Sequence, residues 1–392
     1  MNIDLLREET PGCQHCLHFN NAGASLPPVQ VTRAMQDYLN QESLTGGYEM
    51  AEARADEIAR FYDQAAKLIG AKPRHIAFTS SATNAFARAL SCIPFVAGDT
   101  ILIANEDYVS NQLAFLSLQK RFRIQMIRAK SWPQGGVDID DLKNLMDRHK
   151  PRLVSLSHVP TNTGLVQPVE AVGALCRERD ILYLVDACQS VGQLPVDINT
   201  IQCDFLSATL RKFLRGPRGA GFLFVSDRVL KAPYEPLFID MRGADWVAAD
   251  DYKARPDARR FEDWELPYAL VTGAAEAIAY ALSVGVEEIA TRNRLLCQNV
   301  LDGIEAIGLR TLDVGAKQSS IITVDMKGRS PEETTGFLKK HKINTSVSLR
   351  HYAQVDFTTK GVEWALRISP HYYNTKREIG ILVDTLKDLV NS

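Results

Sequence analysis

Short apolar runs alternate with stretches of helical periodicity between residues 75 and 185, and this constrains the fold more than any other feature of the chain. His75-Ile-Ala-Phe-Thr79, Thr100 to Ala104, Arg123 to Ile127, Leu153 to Ser157 and Ile181 to Val185 read as strands. Ala85 to Leu90, Asn111 to Gln119, Asp138 to Arg148 and Val169 to Glu178 read as helices. The strands are apolar along their length rather than every second residue. Each must therefore be buried on both faces, which predicts an α/β fold with a mostly parallel sheet between two helical layers. Such sheets bind ligands beyond the carboxyl ends of their strands. The polar residues fall there: 80–83, 106–111, 158–164, 186–189 and 209–212.

Around this region the chain reads as helical from Pro28 to Gly70, with a break at Thr45-Gly-Gly47. Two helices, Ala269 to Val284 and Val286 to Ile304, are separated by Gly285, a plausible boundary. Beyond it, Ser319 to Asp325, Ile343 to Val347 and Ala365 to Ser369 read as strands, and Pro331 to Lys340 and Lys376 to Leu389 as helices. The expected organisation is a segment 1–27 packed on a small C-terminal α+β domain, 286–392, with a large domain at 28–285.

With 392 residues, 45% of them apolar, and a net charge of −2, the chain can bury a large core. Its charge balance favours neither a nucleic-acid nor a membrane partner. No apolar run reaches the roughly 18 residues of a membrane helix. The acidic start, Met1 to Glu9, lacks an apolar signal core, so a cytoplasmic location is expected. Seven scattered cysteines suit free thiols. Cys13 and Cys16 have CxxC spacing but no second ligand pair, so two ordinary thiols, and no metal, are expected.

The stretch Thr209 to Val225 reads as strand, turn, strand, with Lys212 at the turn and Gly216, Gly219 and Gly221 close behind. Burial and the cations Arg211, Arg215 and Arg218 would lower the pKa of Lys212 and suit it to trapping a carbonyl. A basic surface hairpin is the competing reading. Asp186 ends an apolar strand, where a carboxylate needs a cationic partner such as a protonated pyridine nitrogen, or else caps the next helix. Gln189 lies within reach of the same ring. Ser80 to Asn84 can cap a helix or present N–H groups to a phosphate. Tyr108 can stack on a planar ring. His158 either shapes the site or sits satisfied in the core. Arg367 offers a fork to a carboxylate, or forms a structural ion pair.

Taken together, Ser80-Ser-Ala-Thr83, His158-Val-Pro-Thr-Asn-Thr-Gly164, Val185-Asp-Ala-Cys-Gln189, Lys212 before Gly216-Pro-Arg-Gly219, and Arg367-Ile-Ser-Pro-His-Tyr-Tyr-Asn-Thr375 stand in the order of, and resemble, the class V aminotransferases. The resemblance runs from Asn20 to Glu378. It implies a fold type I homodimer that binds pyridoxal 5'-phosphate as a Schiff base on Lys212 and acts on a small-molecule amino-acid substrate. It places Asp186 at the pyridine nitrogen and Gln189 and Thr161 near the ring oxygen. It places Ser81, Ala82, Thr83, Thr209 and Arg211 at the phosphate, and Tyr108 and His158 around the ring. Trp264, in Arg260-Phe-Glu-Asp-Trp-Glu265, belongs to a region that commonly reaches towards the partner's phosphate. Arg367 would take the substrate carboxylate, with Asn21, Ala22, Arg350 and Tyr352 nearby.

Three departures are informative. Arg211 replaces the histidine usual before the Schiff-base lysine, Tyr108 the histidine usual over the ring, and Thr161 an asparagine, with Asn162 beside it. These choices are similar to the branch of isopenicillin N epimerase-like proteins and the C–S lyases of ergothioneine and ovothiol biosynthesis. In addition, Arg350-His-Tyr-Ala-Gln354 puts Tyr352 where cysteine desulfurases carry their nucleophilic cysteine, and no cysteine follows Cys297. The expected activity is a C–S β-lyase that releases a sulfur species, pyruvate and ammonia from a cysteine S-conjugate or sulfoxide. Transamination or epimerisation on the same residues is the alternative. A desulfurase or a non-catalytic protein of the same fold stands further off.

Overall fold

A computed structural model describes residues 1–315, 317–326 and 328–392. Its centre is a seven-stranded sheet. From edge to edge the strands are Ile76–Thr79, Gly221–Val225, Phe205–Thr209, Leu182–Asp186, Leu153–Ser157, Thr100–Ile103 and Gln125–Arg128. Six run parallel, and Gly221–Val225 is antiparallel to both neighbours. The sheet is therefore mixed and mostly parallel, as the uniformly apolar strands require. Alternate residues feed opposite layers. Tyr183, Val185, Leu206 and Ala208 join one apolar cluster, while Leu182, Leu184, Phe205 and Leu223 join the other.

The helical stretch near the amino terminus divides into Val29–Thr45, Gly47–Ala53 and Ala55–Leu68. Gly46 supplies the break with φ +97°, a conformation L side chains resist. The helix Tyr268–Val284 packs on the first and third of these. It ends at Gly285, and the next helix, Val286–Ala306, leaves at 75°. Among the described residues no single helix is long and apolar enough to cross a membrane.

A second sheet holds Arg310–Thr311, Ile322–Asp325, Trp364–Ile368 and Ser346–Leu349, all antiparallel. The expected strand 343–347 is two pieces. Ile343–Asn344 pairs in parallel with Leu17–His18, while Ser346–Leu349 joins the sheet. The start of the chain is thereby stitched to this region, and a bridge from Asn20 to Ser369 continues the seam. Leu6 meanwhile clusters with Tyr280, Ile289, Tyr372 and Tyr373.

Residues 205–225 do form an antiparallel pair, with Phe205 opposite Val225 and Thr209 opposite Gly221. The connection is not a surface hairpin, because Leu210, Phe213, Leu214 and Arg215 are each at most 1% exposed. Arg215 takes a left-handed backbone and donates to the Leu26 carbonyl and to Tyr372 Oη and Thr10 Oγ1 at 2.5–2.8 Å. One of the three basic neighbours of Lys212 is thus a structural clamp.

Candidate active site

The carboxyl ends of the parallel strands bring five loops to one edge of the sheet. Asp186, the last residue of its strand, is buried. Its Oδ2 accepts from Asn111 Nδ2 at 2.9 Å, and its Oδ1 from the Cys188 N–H at 2.9 Å. Asn111 also donates to Asp107 Oδ1 at 3.0 Å, and Ser157 Oγ donates to the same oxygen at 2.6 Å. One amide thus bridges two buried carboxylates. Burial, the dominant cause, raises the pKa of Asp107.

Lys212 is buried. Burial lowers its pKa, with Arg211 and Arg367 acting in the same direction and Cys188 and Asp186 opposing. Its Nζ lies 5.9 Å from the centre of the Tyr108 ring. Tyr108 immediately precedes the helix Val109–Phe122.

Arg367 is 8% exposed, and burial followed by repulsion from Arg211 lowers its pKa to about 10. Its recorded partners are neutral: Thr161 O and Oγ1 at 3.2 and 2.7 Å, and Asn20 Oδ1 at 3.4 Å. Among the described residues its Nε is buried with no hydrogen-bond partner and no carboxylate pairs with it. A desolvated guanidinium of this kind suits an anionic ligand.

Gln189 Nε2 donates to the Ala22 carbonyl at 3.1 Å and to Thr161 Oγ1 at 2.8 Å, which leaves Oε1 buried and unpartnered. Thr161 therefore links Gln189 to Arg367, and Ala22 joins the cluster through its backbone.

At the first strand, Ser81 caps the helix Ala82–Ser91, its side chain accepting from the Asn84 N–H at 3.1 Å. Ala82 and Thr83 occupy the first two helical positions, whose N–H groups have no partner within the helix. Gly221 passes so close that an added Cβ would lie 3.1 Å from Ala82 N and 2.6 Å from the Ala208 carbonyl. Arg211 donates to the Gly23 carbonyl, and burial lowers its pKa. Arg211 and Arg367 lower the pKa of Lys212, and Arg211 lowers that of Arg367. A helix start and a group of cations, Lys212 and Arg367 buried and Arg211 half-buried, favour an anion here.

The remaining expected site residues have partners or surroundings of their own. His158 follows Ser157, which pairs with Asp186 and shares its face. The pleat turns His158 the other way, against Val166, Leu194 and Glu170. Burial lowers its pKa to about 4, and its Nδ1 has no partner. Asn21 is fully buried and its side chain is consumed, donating to the Ser369 carbonyl and accepting from Tyr373 Oη. Arg350 is held by Glu363 and Thr358. Trp264 is 43% exposed and stays outside the cluster that one chain assembles. Tyr352 is also exposed, stacked on His351 at 3.9 Å, while its carbonyl accepts from Asn162 Nδ2.

Sequence reasoning misses two residues. Asn111 enters it only as a helix start among the polar residues 106–111; its spacing of four from Asp107 is the available signal. Cys188, between Asp186 and Gln189, is not singled out there. Burial and Asp186 push its thiol pKa well above the ordinary value.

Residues 17–382 match the model of the family described as Aminotransferase class-V. A probable cysteine desulfurase of Pyrococcus abyssi is 26% identical, over 99% of this chain and 97% of that protein. The cysteine desulfurase IscS of Pasteurella multocida is 35% identical over 50% of each chain. Among solved structures, a cysteine desulfurase from Thermococcus onnurineus superposes with a TM-score of 0.92 at 23% identity, over 100% of this chain and 99% of that one. The cystine C–S lyase C-DES, bound to its product cysteine persulfide, superposes with a TM-score of 0.86 at 22% identity, over 97% and 99%. These two likenesses are of fold. The match over most of its length, on a fold type I α/β scaffold with the motifs gathered at one sheet edge, establishes that the chain belongs to the class V aminotransferase family.

Proposed function

We propose that this protein is a pyridoxal phosphate-dependent C–S β-lyase acting on a cysteine S-conjugate or sulfoxide, with a thiohistidine precursor as one candidate substrate. The residues fit the cofactor on three counts. Lys212 has a depressed pKa and meets a carboxylate at Asp186. The buried acceptor Gln189 Oε1 has no protein partner. The start of the helix Ala82–Ser91 and Arg211 form the cradle a phosphate needs. When bound, the cofactor supplies an electron sink for negative charge developing at the substrate Cα.

The chain's own residues supply the rest. Asp186, fixed by Asn111 and the Cys188 N–H, holds a proton on the ring nitrogen. Arg367 binds the substrate carboxylate and so orients Cα. Lys212 takes the Cα proton. Elimination breaks the Cα–H and Cβ–S bonds. The sulfur leaves with the electron pair, and the three-carbon fragment hydrolyses to pyruvate and ammonia. A sulfoxide leaves as a sulfenate, which is a better leaving group than a thiolate.

The observation that carries the reading is the buried Arg367, with only neutral partners, beside Lys212 and Asp186, while the loop opposite presents Tyr352. The curated relatives named cysteine desulfurases favour a second reading, with Cys188 as sulfur acceptor. Its strongly raised pKa argues against it, because sulfur transfer needs a thiolate. Transamination or epimerisation uses the same residues and differs only in where the proton returns. Seven free cysteines support a reducing, cytoplasmic setting. Exposed Phe238, Met241 and Trp246 support a homodimer.

The test is a panel of cysteine conjugates and sulfoxides, thiohistidine precursors included, incubated with the purified holoenzyme. Pyruvate in proportion to released sulfur is expected. No pyruvate from any member would remove the lyase reading; a keto acid with the donor's intact skeleton, or racemised substrate, would replace it.

A further inference from the structure

A cavity of about 180 Å³ opens beside the Lys212 cluster, between the start of the helix Val109–Phe122 and the loop carrying Tyr352. Asp107, which precedes Tyr108, and Asn162, which follows Thr161, line it and tie it to the cluster. Its wall is largely apolar, built from Val109, Leu113, Leu116 and Val355. It is smaller than the ~300–1,000 Å³ that encloses a drug-sized ligand, so it suits one arm of a substrate.

Four charged side chains on the chain's own wall differ in how they are satisfied. Asp356 pairs with Lys360 at 3.0 Å. Asp107 accepts from the Tyr108 N–H, Asn111, Gln112 and Ser157. Among the described residues Glu106 and Arg128 hydrogen-bond only to neutral groups, while Lys360 acts on Glu106 and Asp107 on Arg128 from further off. Glu106, 7% exposed, accepts from Ser131 Oγ at 3.0 Å and Gln167 Nε2 at 3.4 Å. Arg128 donates to Gln112 Oε1 at 2.6 Å and the Ala104 carbonyl at 3.5 Å. A buried carboxylate and a half-buried guanidinium bonded only to neutral groups each gain from a directly hydrogen-bonded counter-charge.

We infer that this cavity receives the outer arm of the sulfur substituent, and that the arm is amino-acid-like: an apolar stem carrying a cationic nitrogen for Glu106 and a carboxylate for Arg128. The inference rests on the lyase reading for which end of the substrate lies at Lys212. A purely aliphatic arm would fill the wall and give neither group a hydrogen-bonded counter-charge. An arm of one sign would satisfy one and leave the other.

The test uses holoenzyme and four ligands that share a cysteine end: S-propylcysteine, S-(2-aminoethyl)cysteine, S-(2-carboxyethyl)cysteine and cystathionine. Dissociation constants are read from the cofactor absorbance, which does not require turnover. Cystathionine is expected to bind at least about tenfold tighter than S-propylcysteine. Glu106→Gln should remove the advantage of arms with an amine, and Arg128→Met that of arms with a carboxylate. S-propylcysteine should bind both variants as it binds the native protein. Equal affinity for all four ligands, or an equal loss for S-propylcysteine and cystathionine in the variants, overturns the inference. If a charge variant fails to fold, Val109→Phe decides, since it narrows the cavity and keeps both charges. It must weaken cystathionine about tenfold and spare alanine, and an equal effect on both is the contrary result. Selective binding without pyruvate would sink the lyase reading alone; pyruvate formation with a flat binding order would sink only this one.

Discussion

Arg367→Met should destroy activity while leaving stability almost unchanged, and that separation makes it a sharp test. Burial, with repulsion from Arg211, takes the pKa of Arg367 from 12.5 to about 10. That drop corresponds to about 3 kcal/mol by which the folded state disfavours the charge. The sign follows from the folded value being the lower one. Below about pH 10 the arginine is charged in both states, and folding carries the cost throughout. Removing the cation recovers it but forfeits three hydrogen bonds to Thr161 and Asn20, about 1 kcal/mol each. The two terms nearly cancel, so stability should stay within about 1 kcal/mol of the native protein, read by urea unfolding without substrate at pH 7. Activity has no such compensation. Losing two charge-assisted bonds to a carboxylate, about 1.5–3 kcal/mol each, lowers kcat/KM by about 10²–10⁴. Arg367→Lys keeps the charge without the fork and should recover only part. A variant that loses stability and activity together would mean that Arg367 is structural, and full activity would remove it from substrate binding.

Other outcomes follow from the same geometry. Asn111→Leu leaves Asp107 and Asp186 without their shared amide; unfolding free energy should fall by about 1–3 kcal/mol, and kcat should fall with it. His158→Leu should leave kcat/KM within about twofold, because the ring faces away from Lys212, and should raise stability slightly by removing the unpartnered Nδ1; a large loss of activity would restore His158 to the site. Lys212 has a lowered pKa in the folded chain, so its protonated form opposes folding at neutral pH, and that penalty fades as pH rises towards its unfolded value of 10.5. Cofactor-free Lys212→Met should therefore exceed the native protein in stability at pH 7 by more than at pH 10; a pH-independent difference contradicts this. Phe238→Asp with Trp246→Asp should shift a dimer towards monomer in light scattering, and an unchanged mass would move the partner face elsewhere.

The order of strands and helices was legible because each apolar run has the length and uniform burial of a parallel strand. The helix expected from Ala85 begins at Ala82, and it and the break at Gly285 were legible from the hydroxyl residues of 80–84 and from the glycine. What stayed hidden depended on register or distant partners. His158 is one residue from Ser157, and only the pairing of Ser157 with Asp186 shows which face it takes. The side chain of Asn21 is spent on Tyr373, 352 residues away. Arg350 looked available because Glu363, just before the strand Trp364–Ile368, is brought back to it only by the fold. The strand 343–347 read as one piece because its apolar content does not reveal that Leu17–His18 claims its first half. Arg215 resembled its neighbours in sequence, and its burial under Tyr372 and Tyr373 could not be seen locally.

The most direct measurement is peptide mapping after borohydride reduction of the holoenzyme, which fixes a reducible imine in place. The pyridoxyl mass is expected on the peptide containing Lys212 and on no other lysine. That mass on a different lysine, or no covalently retained cofactor at all, would contradict the role given to the amine beside Asp186.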